Sequence, residues 1–374
     1  MRKCKYKTRV LLSAYTQLNL GDDLFIKSII ERYPNTLFVI PCGKEYKDFF
    51  SLYNNVIHVN LNRGWISLVD RLMRRVEESS YYVKNSFLLK YLDSKYHFTH
   101  YIVIGGSIFM ESSSKNKGYN VYKSYLRVKK ILKHAYLDIL GCNFGPCMSE
   151  QYKEHIYKVL LLADDVCFRD RKSYESFPKI NTIRLGNDVV LESLTVPRVE
   201  KKKKVGISLI SLKERNDLLC LIDSYRNKIS EIISYFVGKN YEVVLFSFCK
   251  HLGDLDEAKD IYSSLKDNQK VSIYSYEGNL TEALRTFGEM EYLIASRFHA
   301  VILGMIFNMK MFPIAYSNKT KDMLNDYGLW KENYDIQKFV NLGMHNFLDS
   351  FISSFSIETR ESQYKVLDCQ FTLM

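Results

Sequence analysis

The sequence predicts an α/β protein made of two Rossmann-like domains that face a central cleft. Three observations predict this fold class. Short apolar segments alternate with segments of helical periodicity, the length of 374 residues exceeds that of a typical single domain, and the alternation restarts after the lysine-rich stretch Lys201–Lys204. Strands that alternate with helices form mostly parallel sheets covered on both faces. We therefore expect one domain over residues 1–200 and a second over residues 201–374, with the active site in the cleft between them.

The first domain contains short apolar runs bounded by turn residues, and amphipathic stretches lie between them. The predicted strands are Arg9–Tyr15, Thr36–Ile40, Tyr101–Ile104, Ala135–Leu140, Val166–Arg169 and Thr182–Leu185. The predicted helices are Asp23–Arg32, Val121–Lys133, Glu150–Ala163 and Arg171–Phe177.

The second domain repeats the same alternation. Lys201–Lys204 is either a solvated linker or the start of a strand. The predicted strands are Val205–Leu209, Tyr241–Ser247, Val271–Tyr274, Tyr292–Ala295 and Lys310–Ile314. The segment after about Trp330 contains helical pieces that could pack back on the first domain.

The composition narrows the classes of partner and compartment. A net charge of +11 and a pI near 9.0 favour anionic partners such as phosphates or acidic glycans, and the sequence has no recognition motif for nucleic acid. Its eight cysteines include no Cys-x-x-Cys pair, which predicts reduced thiols and no zinc site. The sequence has no signal-peptide pattern and no apolar run long enough to span a membrane. We therefore expect a cytoplasmic protein.

One helical stretch, Trp65–Val76, carries apolar residues at helical spacing with three arginines between them. Such a segment could make peripheral contact with the anionic inner face of the membrane. The alternative is an ordinary helix that packs one face on the sheet.

Polar residues follow the first and third predicted strands of the first domain. Gly21 permits a tight turn, and Asp22 either caps the next helix or orients and deprotonates a hydroxyl of a bound acceptor. Gly105, Gly106 and Ser107 would let a ligand approach the backbone amides closely. No third glycine completes the dinucleotide-binding fingerprint, so a nicotinamide cofactor is disfavoured.

Two further strand ends of this domain carry polar groups. The loop Gly141–Pro146 contains Asn143, and Arg169 follows the strand after it. Arg169 could bind a carboxylate through two hydrogen bonds, while Asp170 caps the next helix. In open α/β sheets ligands bind at the carboxyl ends of strands, so these junctions together predict a site.

In the second domain, Ser296, Arg297 and His299 join the strand Tyr292–Ala295 to a helix. A helix N-terminus favours anions. The alternative is that Arg297 pairs with a carboxylate and His299 caps the turn. Lys319 opens another helix, where a cation opposes the helix dipole unless it serves an anionic ligand.

Taken in order over residues 8–330, these junctions resemble the polysaccharide pyruvyl transferase family. Ser107 departs from the pattern, because the family often has a third glycine there. The matching pieces are Gly21-Asp22, Gly105-Gly106-Ser107, Gly141 to Gly145-Pro146, Arg169-Asp170-x-x-Ser173, Gly186-Asn187-Asp188, Ser296-Arg297-Phe298-His299, and Pro313 through Tyr316 to Lys319.

The resemblance implies a GT-B-like fold, with the acceptor on the first domain and the donor on the second. It implies a pyruvyltransferase that moves pyruvate from phosphoenolpyruvate onto two hydroxyls of a sugar as a cyclic ketal. The setting would be exopolysaccharide or capsule biosynthesis, and the acceptor a sugar or a lipid-linked glycan. Phosphoenolpyruvate is the donor substrate, and the reaction needs no metal and no organic cofactor.

The resemblance also implies roles for the residues at the strand ends. His299 is the general acid and base, Arg297 and Lys319 bind the donor phosphate or carboxylate, Arg169 binds the other anionic group, and Asp22 faces the acceptor. The remaining substrate-binding residues are Gly21, Gly105, Gly106, Ser107, Asn143 and Ser296.

Two other functions stay open at this point. A GT-B glycosyltransferase would use a nucleotide-sugar donor, and Arg297 would serve either donor, since fold does not fix function. A non-catalytic glycan- or lipid-binding protein could keep the same fold.

Overall fold

The computed structural model describes residues 6–61, 86–111, 117–213, 215–266 and 269–353. The amphipathic stretch Trp65–Val76, and with it the predicted membrane contact, lies outside the described residues. The chain divides into two compact units. Among the described residues, the first comprises those up to Thr16 and Asp22–Leu194, and the second comprises Gln17–Gly21 and those from Thr195 onward.

The first unit contains a seven-stranded sheet in which the described neighbours all pair in parallel. Its order is β3-β2-β1-β4-β5-β6-β7. The strands are β1 (Arg9–Ser13), β2 (Leu37–Cys42), β3 (Val56–Asn60), β4 (His100–Ile104), β5 (Tyr136–Cys142), β6 (Asp165–Phe168) and β7 (Ile183–Leu185).

Helices connect these strands and cover the apolar sheet. They are α1 (Leu20–Arg32), α2 (Lys47–Ser51), α3 (Ser86–Tyr96), α4 (Lys117–Ile131), α5 (Glu150–Leu160), α6 (Arg171–Glu175) and α7 (Val189–Ser193). Leu11, Val103 and Ile139 on three neighbouring strands are fully buried, and they share one core with Tyr125 of α4 and Ile156 of α5. Burial on both faces explains why these strands read as continuous apolar runs.

Strand β3 was missing from the sequence prediction. Among the described strands it lies at the edge of the sheet and pairs with β2 alone, where Phe38 lies opposite Val56. Four of its five residues are only partly buried, and they include His58 and Asn60. An edge strand that faces solvent needs no apolar run, which is why this strand carried too weak a sequence signal.

The second unit contains a five-stranded parallel sheet of order β10-β9-β8-β11-β12. Its strands are β8 (Lys202–Ser208), β9 (Glu242–Ser247), β10 (Val271–Ser275), β11 (Met290–Ala295) and β12 (Lys310–Pro313). Its helices are α8 (Ile222–Gly238), α9 (Asp254–Ser264), α10 (Leu280–Gly288), α11 (Phe298–Ile306), α12 (Asn318–Asp326), α13 (Ile336–Phe339) and α14 (Met344–Asp349).

The lysine-rich stretch Lys201–Lys204 is the start of a strand. Strand β8 begins at Lys202, and the Lys202 and Lys204 ammonium groups lie 2.5 and 3.0 Å from the carboxylate of Glu289. Of the two interpretations from the sequence, the strand start is therefore correct for Lys202–Lys204.

The short helices after Trp330 pack within the second unit. The ring centroids of Phe347, Tyr334 and Phe339 lie 4.7, 5.1 and 5.6 Å from that of Phe312 on β12. α13 and α14 therefore belong to the second unit, and the packing of this segment on the first domain stays a prediction. Their apolar faces are short, and the aromatic ring of Phe312 decides where they are buried.

A buried carboxyl group in the first sheet is held without a matching cation. Asp138 of β5 is 2% exposed, and its Oδ1 has no hydrogen-bond partner in the described part of the chain. Its neighbour Asp165 on β6 instead receives both hydrogen bonds of Arg184, at 2.7 and 2.6 Å. Burial, with the nearby carboxylates of Asp165 and Asp164 adding to it, raises the pKa of Asp138 to about 7.

We expect Asp138→Asn to stabilise the protein at neutral pH. The folded state keeps the proton of Asp138 up to about pH 7, whereas an unfolded aspartate loses it near pH 4. Wild-type stability therefore falls as pH rises from about 4 to about 7, and the amide variant lacks this loss. Urea unfolding at pH 5 and pH 8 should give the variant an advantage of about 1–4 kcal/mol at pH 8 and less at pH 5.

The matched control is Asp165→Asn, which removes the partner of Arg184 and should destabilise the protein at both pH values. An Asp138→Asn variant whose unfolding free energy follows that of the wild type at both pH values would contradict the account of Asp138.

Candidate active site

Each sheet has one position where the strand order reverses. In the first sheet this switch point lies between β1 and β4, and in the second it lies between β8 and β11. Ligands of open α/β sheets bind outside the carboxyl ends of the strands at this point. Asp22 and Gly105-Gly106-Ser107 follow the two switch strands of the first sheet, and Arg297 and His299 follow β11 of the second. The predicted residues therefore lie where this fold class places its ligands.

Four residues of the first unit form a connected group, the first-unit cluster of Gly106, Asn143, Arg169 and Asp188. Arg169 Nη1 donates to Asp188 Oδ2 at 2.8 Å, and Nη2 donates to Asn143 Oδ1 at 2.9 Å. The backbone amide of Asn143 donates to the backbone carbonyl of Gly106 at 2.8 Å. The cluster thus joins the ends of β4, β5 and β6 to the residue that precedes α7.

Burial and pairing define what Arg169 does in this cluster. The side chains of Arg169 and Asp188 are only 4% and 2% exposed. Asp188 also caps α7, because its Oδ1 accepts a hydrogen bond from the Val190 amide at 2.9 Å. Arg169 therefore orders the strand ends, and its predicted contact with an anionic substrate group stays a prediction. The sequence placed Asp188 among the site motifs but did not indicate that Arg169 is its ion-pair partner.

The Arg-Asp-x-x-Ser motif has a structural explanation. Asp170 Oδ1 accepts from the Ser173 amide at 2.8 Å, so the prediction that Asp170 caps the next helix, α6, is confirmed. The Ser173 hydroxyl donates to Asp170 Oδ2 and accepts from the Phe144 amide at 2.7 Å. The motif thereby fixes the loop that carries Asn143 against α6.

The first-unit cluster leaves no space for a side chain at Gly106. A Cβ atom there would lie 2.5 Å from Arg169 Nη2 and 2.8 Å from its Cζ. We expect Gly106→Ala to displace the guanidinium from Asn143 or Asp188. Leaving a buried polar group unpaired should lower the free energy of unfolding by about 1–3 kcal/mol, as measured by urea denaturation.

Gly238→Ala is the matched control, because no atom lies within 4 Å of a Cβ at that helical position. This control should be neutral or stabilising by roughly 0.5–1 kcal/mol. Equal effects of the two substitutions would show that the packing of Gly106 against Arg169 contributes nothing to stability.

In the second unit, Arg297 is held by a buried carboxylate. Its Nε donates to Asp254 Oδ2 at 3.0 Å, and its Nη2 donates to Asp254 Oδ1. Asp254 is fully buried and also accepts from the backbone amides of Phe248 and Cys249, at 3.2 and 3.1 Å. The alternative that Arg297 pairs with a carboxylate is therefore correct, and Nη1 is the guanidinium nitrogen that no hydrogen bond within the described residues uses.

Asp254 is the residue of this site that sequence reasoning missed. It is the first residue of α9 and follows Gly253, which has a left-handed backbone (φ 77°). A glycine before an acidic helix start is a recognisable N-terminal signal, but it does not indicate a partner. Burial raises the pKa of Asp254, and the charge of Arg297 opposes that rise.

Serine hydroxyls fix the backbone on which Arg297 stands. The Ser208 hydroxyl at the end of β8 accepts from the amides of Ser296 and Arg297, at 3.2 and 3.1 Å. The Ser296 hydroxyl lies 3.1 Å from that of Tyr225, and Ser296 is fully buried. The burial and the Tyr225 contact show that the Ser296 side chain supports the strand end, and its predicted substrate contact stays a prediction.

His299 and Lys319 lie in the first turns of α11 and α12 and are both half-buried. Gly21, which clusters with the second unit, packs against His299, because a Cβ at Gly21 would lie 2.0 Å from His299 Nδ1. The Lys319 ammonium lies 5.8 Å from the centroid of the Phe298 ring. Arg297 and Lys319 are cations beside two helix N-termini, which makes this edge of the sheet suitable for an anionic ligand.

The described residues offer no metal site and no membrane-spanning helix. No group of three or more His, Cys, Asp or Glu side chains among them could hold a metal ion. In that same part of the chain, no helix combines the length and apolar character needed to cross a membrane.

The comparison with known families agrees with the strand-end motifs. A model of polysaccharide pyruvyl transferases matches residues 19–318. The chain belongs to the polysaccharide pyruvyl transferase family. It is therefore a transferase, and the family predicted from the order of the strand-end motifs is confirmed.

Solved structures show how widely the fold of this pyruvyl transferase family member is shared. UDP-GlcNAc 2-epimerase from Methanocaldococcus jannaschii is 12% identical, with 96% of this chain and 98% of that chain covered and a TM-score of 0.56. The S. aureus MnaA–UDP co-structure is 7% identical, with 98% of this chain and 100% of that chain covered and a TM-score of 0.58. UDP-GlcNAc 2-epimerase from Neisseria meningitidis bound to UDP-GlcNAc is 7% identical, with 98% of this chain and 96% of that chain covered and a TM-score of 0.55. These similarities confirm the predicted α/β, GT-B-like fold class.

Proposed function

We propose that the protein transfers pyruvate from phosphoenolpyruvate onto two hydroxyls of a sugar as a cyclic ketal. The setting is the assembly of a cell-surface polysaccharide, such as an exopolysaccharide or a capsule, on a free or lipid-linked glycan. The observation that carries the proposal is the position of Arg297 and His299. Both follow the switch strand β11 at the start of α11, and buried Asp254 fixes the guanidinium.

The chemistry sets clear demands on the residues. One acceptor hydroxyl adds across the double bond of phosphoenolpyruvate, so that its oxygen bonds to C2 and a proton goes to C3. The second hydroxyl then displaces phosphate from C2, which closes the ketal and releases inorganic phosphate. The site must therefore bind a phosphate and a carboxylate, and it must move protons at C3 and at both hydroxyls.

The second unit has the groups for the donor. His299 transfers the proton to C3 as a general acid, a role worth about 10²–10⁴-fold in rate. Arg297, through Nη1, and Lys319 bind one anionic group of the donor, its phosphate or its carboxylate. Asp254 keeps the guanidinium plane fixed while the anion binds, so little reorganisation is needed.

The residues of the first unit are assigned to the acceptor and to the second anionic group. Asp22 is half-buried in the first turn of α1, where its carboxylate can orient a sugar hydroxyl. Ser107 is half-buried at the end of β4 and can do the same. Arg169 binds the second anionic group, and Gly105 lets a ligand approach the backbone closely. Gly21 of the second unit leaves room for His299.

The test of the function is release of inorganic phosphate from phosphoenolpyruvate in the presence of a panel of glycan acceptors. The expected product gains the mass of one pyruvate ketal. Turnover of a nucleotide-sugar with release of the nucleotide would identify a glycosyltransferase, and binding of glycan without turnover of any donor would indicate a binding protein.

We expect Arg297→Lys and His299→Ala to affect different kinetic constants. Lysine keeps the charge but loses the two hydrogen bonds to Asp254, so KM for phosphoenolpyruvate should rise while some turnover survives at high donor concentration. His299→Ala should leave donor binding almost unchanged and lower kcat by about 10²–10⁴-fold. Steady-state kinetics with a donor titration separates the two results.

Matched controls come from the same unit. Arg226→Lys alters an arginine that also makes two hydrogen bonds to a buried carboxylate, that of Glu257. His251→Ala changes an exposed histidine of a short 3₁₀ helix. Neither control should change KM for the donor, and a His299→Ala variant with normal kcat at saturating donor would remove His299 from the proton transfer.

We also expect turnover without an added divalent metal, because Arg297 and Lys319 supply positive charge for the donor. Initial rates after extensive treatment with a chelator should equal those of the untreated enzyme. Loss of activity that one specific metal restores would contradict this expectation.

A further inference from the structure

Tyr316 stands at the same edge of the second sheet but has no role in the reaction described so far. It follows β12, the neighbour of β11, and directly precedes Ser317, the N-cap residue of α12. The side chain is half-buried. Its hydroxyl makes no hydrogen bond to any described residue, which leaves it available to a bound substrate.

Positive charges from three different segments face this phenol. The guanidinium carbon of Arg215 lies 5.6 Å from the centroid of the Tyr316 ring. Arg297 at the start of α11 and Lys319 in α12 also act on it electrostatically, and Asp254 of α9 is the carboxylate that opposes them. Arg215 is itself paired with Asp217, at 3.1 and 3.0 Å.

The balance of these effects lowers the pKa of the Tyr316 phenol. Burial would by itself raise the pKa of Tyr316, but the charges of Lys319 and Arg297 outweigh burial and hold the pKa below its usual value. A tyrosine that ionises more easily can act as a base as well as an acid. The cations that lower its pKa are those assigned to the anionic donor.

The proposed reaction needs proton transfers at more than one position. A proton must reach C3, both acceptor hydroxyls must lose theirs, and the departing phosphate must gain one. A single imidazole would have to reach all four positions, whereas two groups on neighbouring strands can divide them.

We propose that Tyr316 is a second proton-transferring residue of this site, acting with His299; this inference rests on the proposed function. The ionised Tyr316 takes the proton of the first hydroxyl as its oxygen bonds to C2, while the His299 imidazolium protonates C3. In the second step neutral His299 takes the proton of the second hydroxyl, and Tyr316 gives its proton to the leaving phosphate. Both residues return to their starting states, and no other reactant is required.

The kinetic test is Tyr316→Phe, which keeps the ring and removes the hydroxyl. We expect kcat to fall by about 10²–10⁴-fold with little change in KM for the donor. The rise of kcat with pH through the ionisation of Tyr316 should disappear. Tyr292→Phe is the matched control, because Tyr292 lies in β11 with the Lys310 ammonium 5.1 Å from its ring centroid, and it should keep the wild-type profile.

A second measurement needs no turnover. The ultraviolet difference spectrum between the wild type and Tyr316→Phe should show one phenol that ionises below the usual value of about 10. Inorganic phosphate should raise that apparent pKa only in part, because an anion bound to Arg297 and Lys319 offsets their charges while Arg215 still acts on the phenol.

The outcomes separate this inference from the proposed function. A wild type that does not turn over phosphoenolpyruvate, but shows the phosphate-sensitive phenol, would defeat the proposed function and keep the anion-linked tyrosine. A Tyr316→Phe variant with wild-type kcat and an unchanged pH profile would overturn the role of Tyr316, and so would a difference spectrum without a phenol that ionises below about 10.

Discussion

Both units depend on a buried arginine–aspartate pair at the carboxyl edge of their sheet. In the first unit the pair is Arg169 with Asp188, and in the second it is Arg297 with Asp254. Removing one partner of such a pair typically costs about 3–5 kcal/mol, because the other charge stays buried and uncompensated. The strand ends around each pair are therefore held in one arrangement, and the loops that carry the predicted site residues are anchored to it.

The two pairs differ in what they leave for a ligand. The hydrogen bonds of Arg169 to Asp188 and Asn143 use both terminal nitrogens, and its side chain is 4% exposed. Arg297 is bound through Nε and one terminal nitrogen, and its side chain is 14% exposed. In the second pair Asp254 fixes the guanidinium, and Nη1 makes no hydrogen bond to a described residue. This arrangement would suit the binding of an anion with little movement of the Arg297 side chain.

The surroundings of Arg297 explain how a buried positive charge can serve catalysis. Asp254 neutralises it in the resting protein, while the N-termini of α11 and α12 and the ammonium of Lys319 add further positive potential. An anionic donor would complete the charge balance of this edge. His299 and Tyr316, the groups that we propose exchange protons there, would respond to the arrival of that anion, and proton transfer would be coupled to donor binding.

The sequence by itself determined the α/β class, eleven of the twelve described strands, and the family, because these depend on local patterns of apolar and polar residues. It also indicated the cap at Asp170 from the residues next to it. It did not give edge strand β3, whose exposure removes the apolar signal, nor the packing of α13 and α14 on Phe312. Only the tertiary structure decided which carboxylate holds each arginine. Asp254 lies 43 residues before Arg297 and Asp188 lies 19 residues after Arg169, and no local pattern encodes a contact that depends on the order of strands in a sheet.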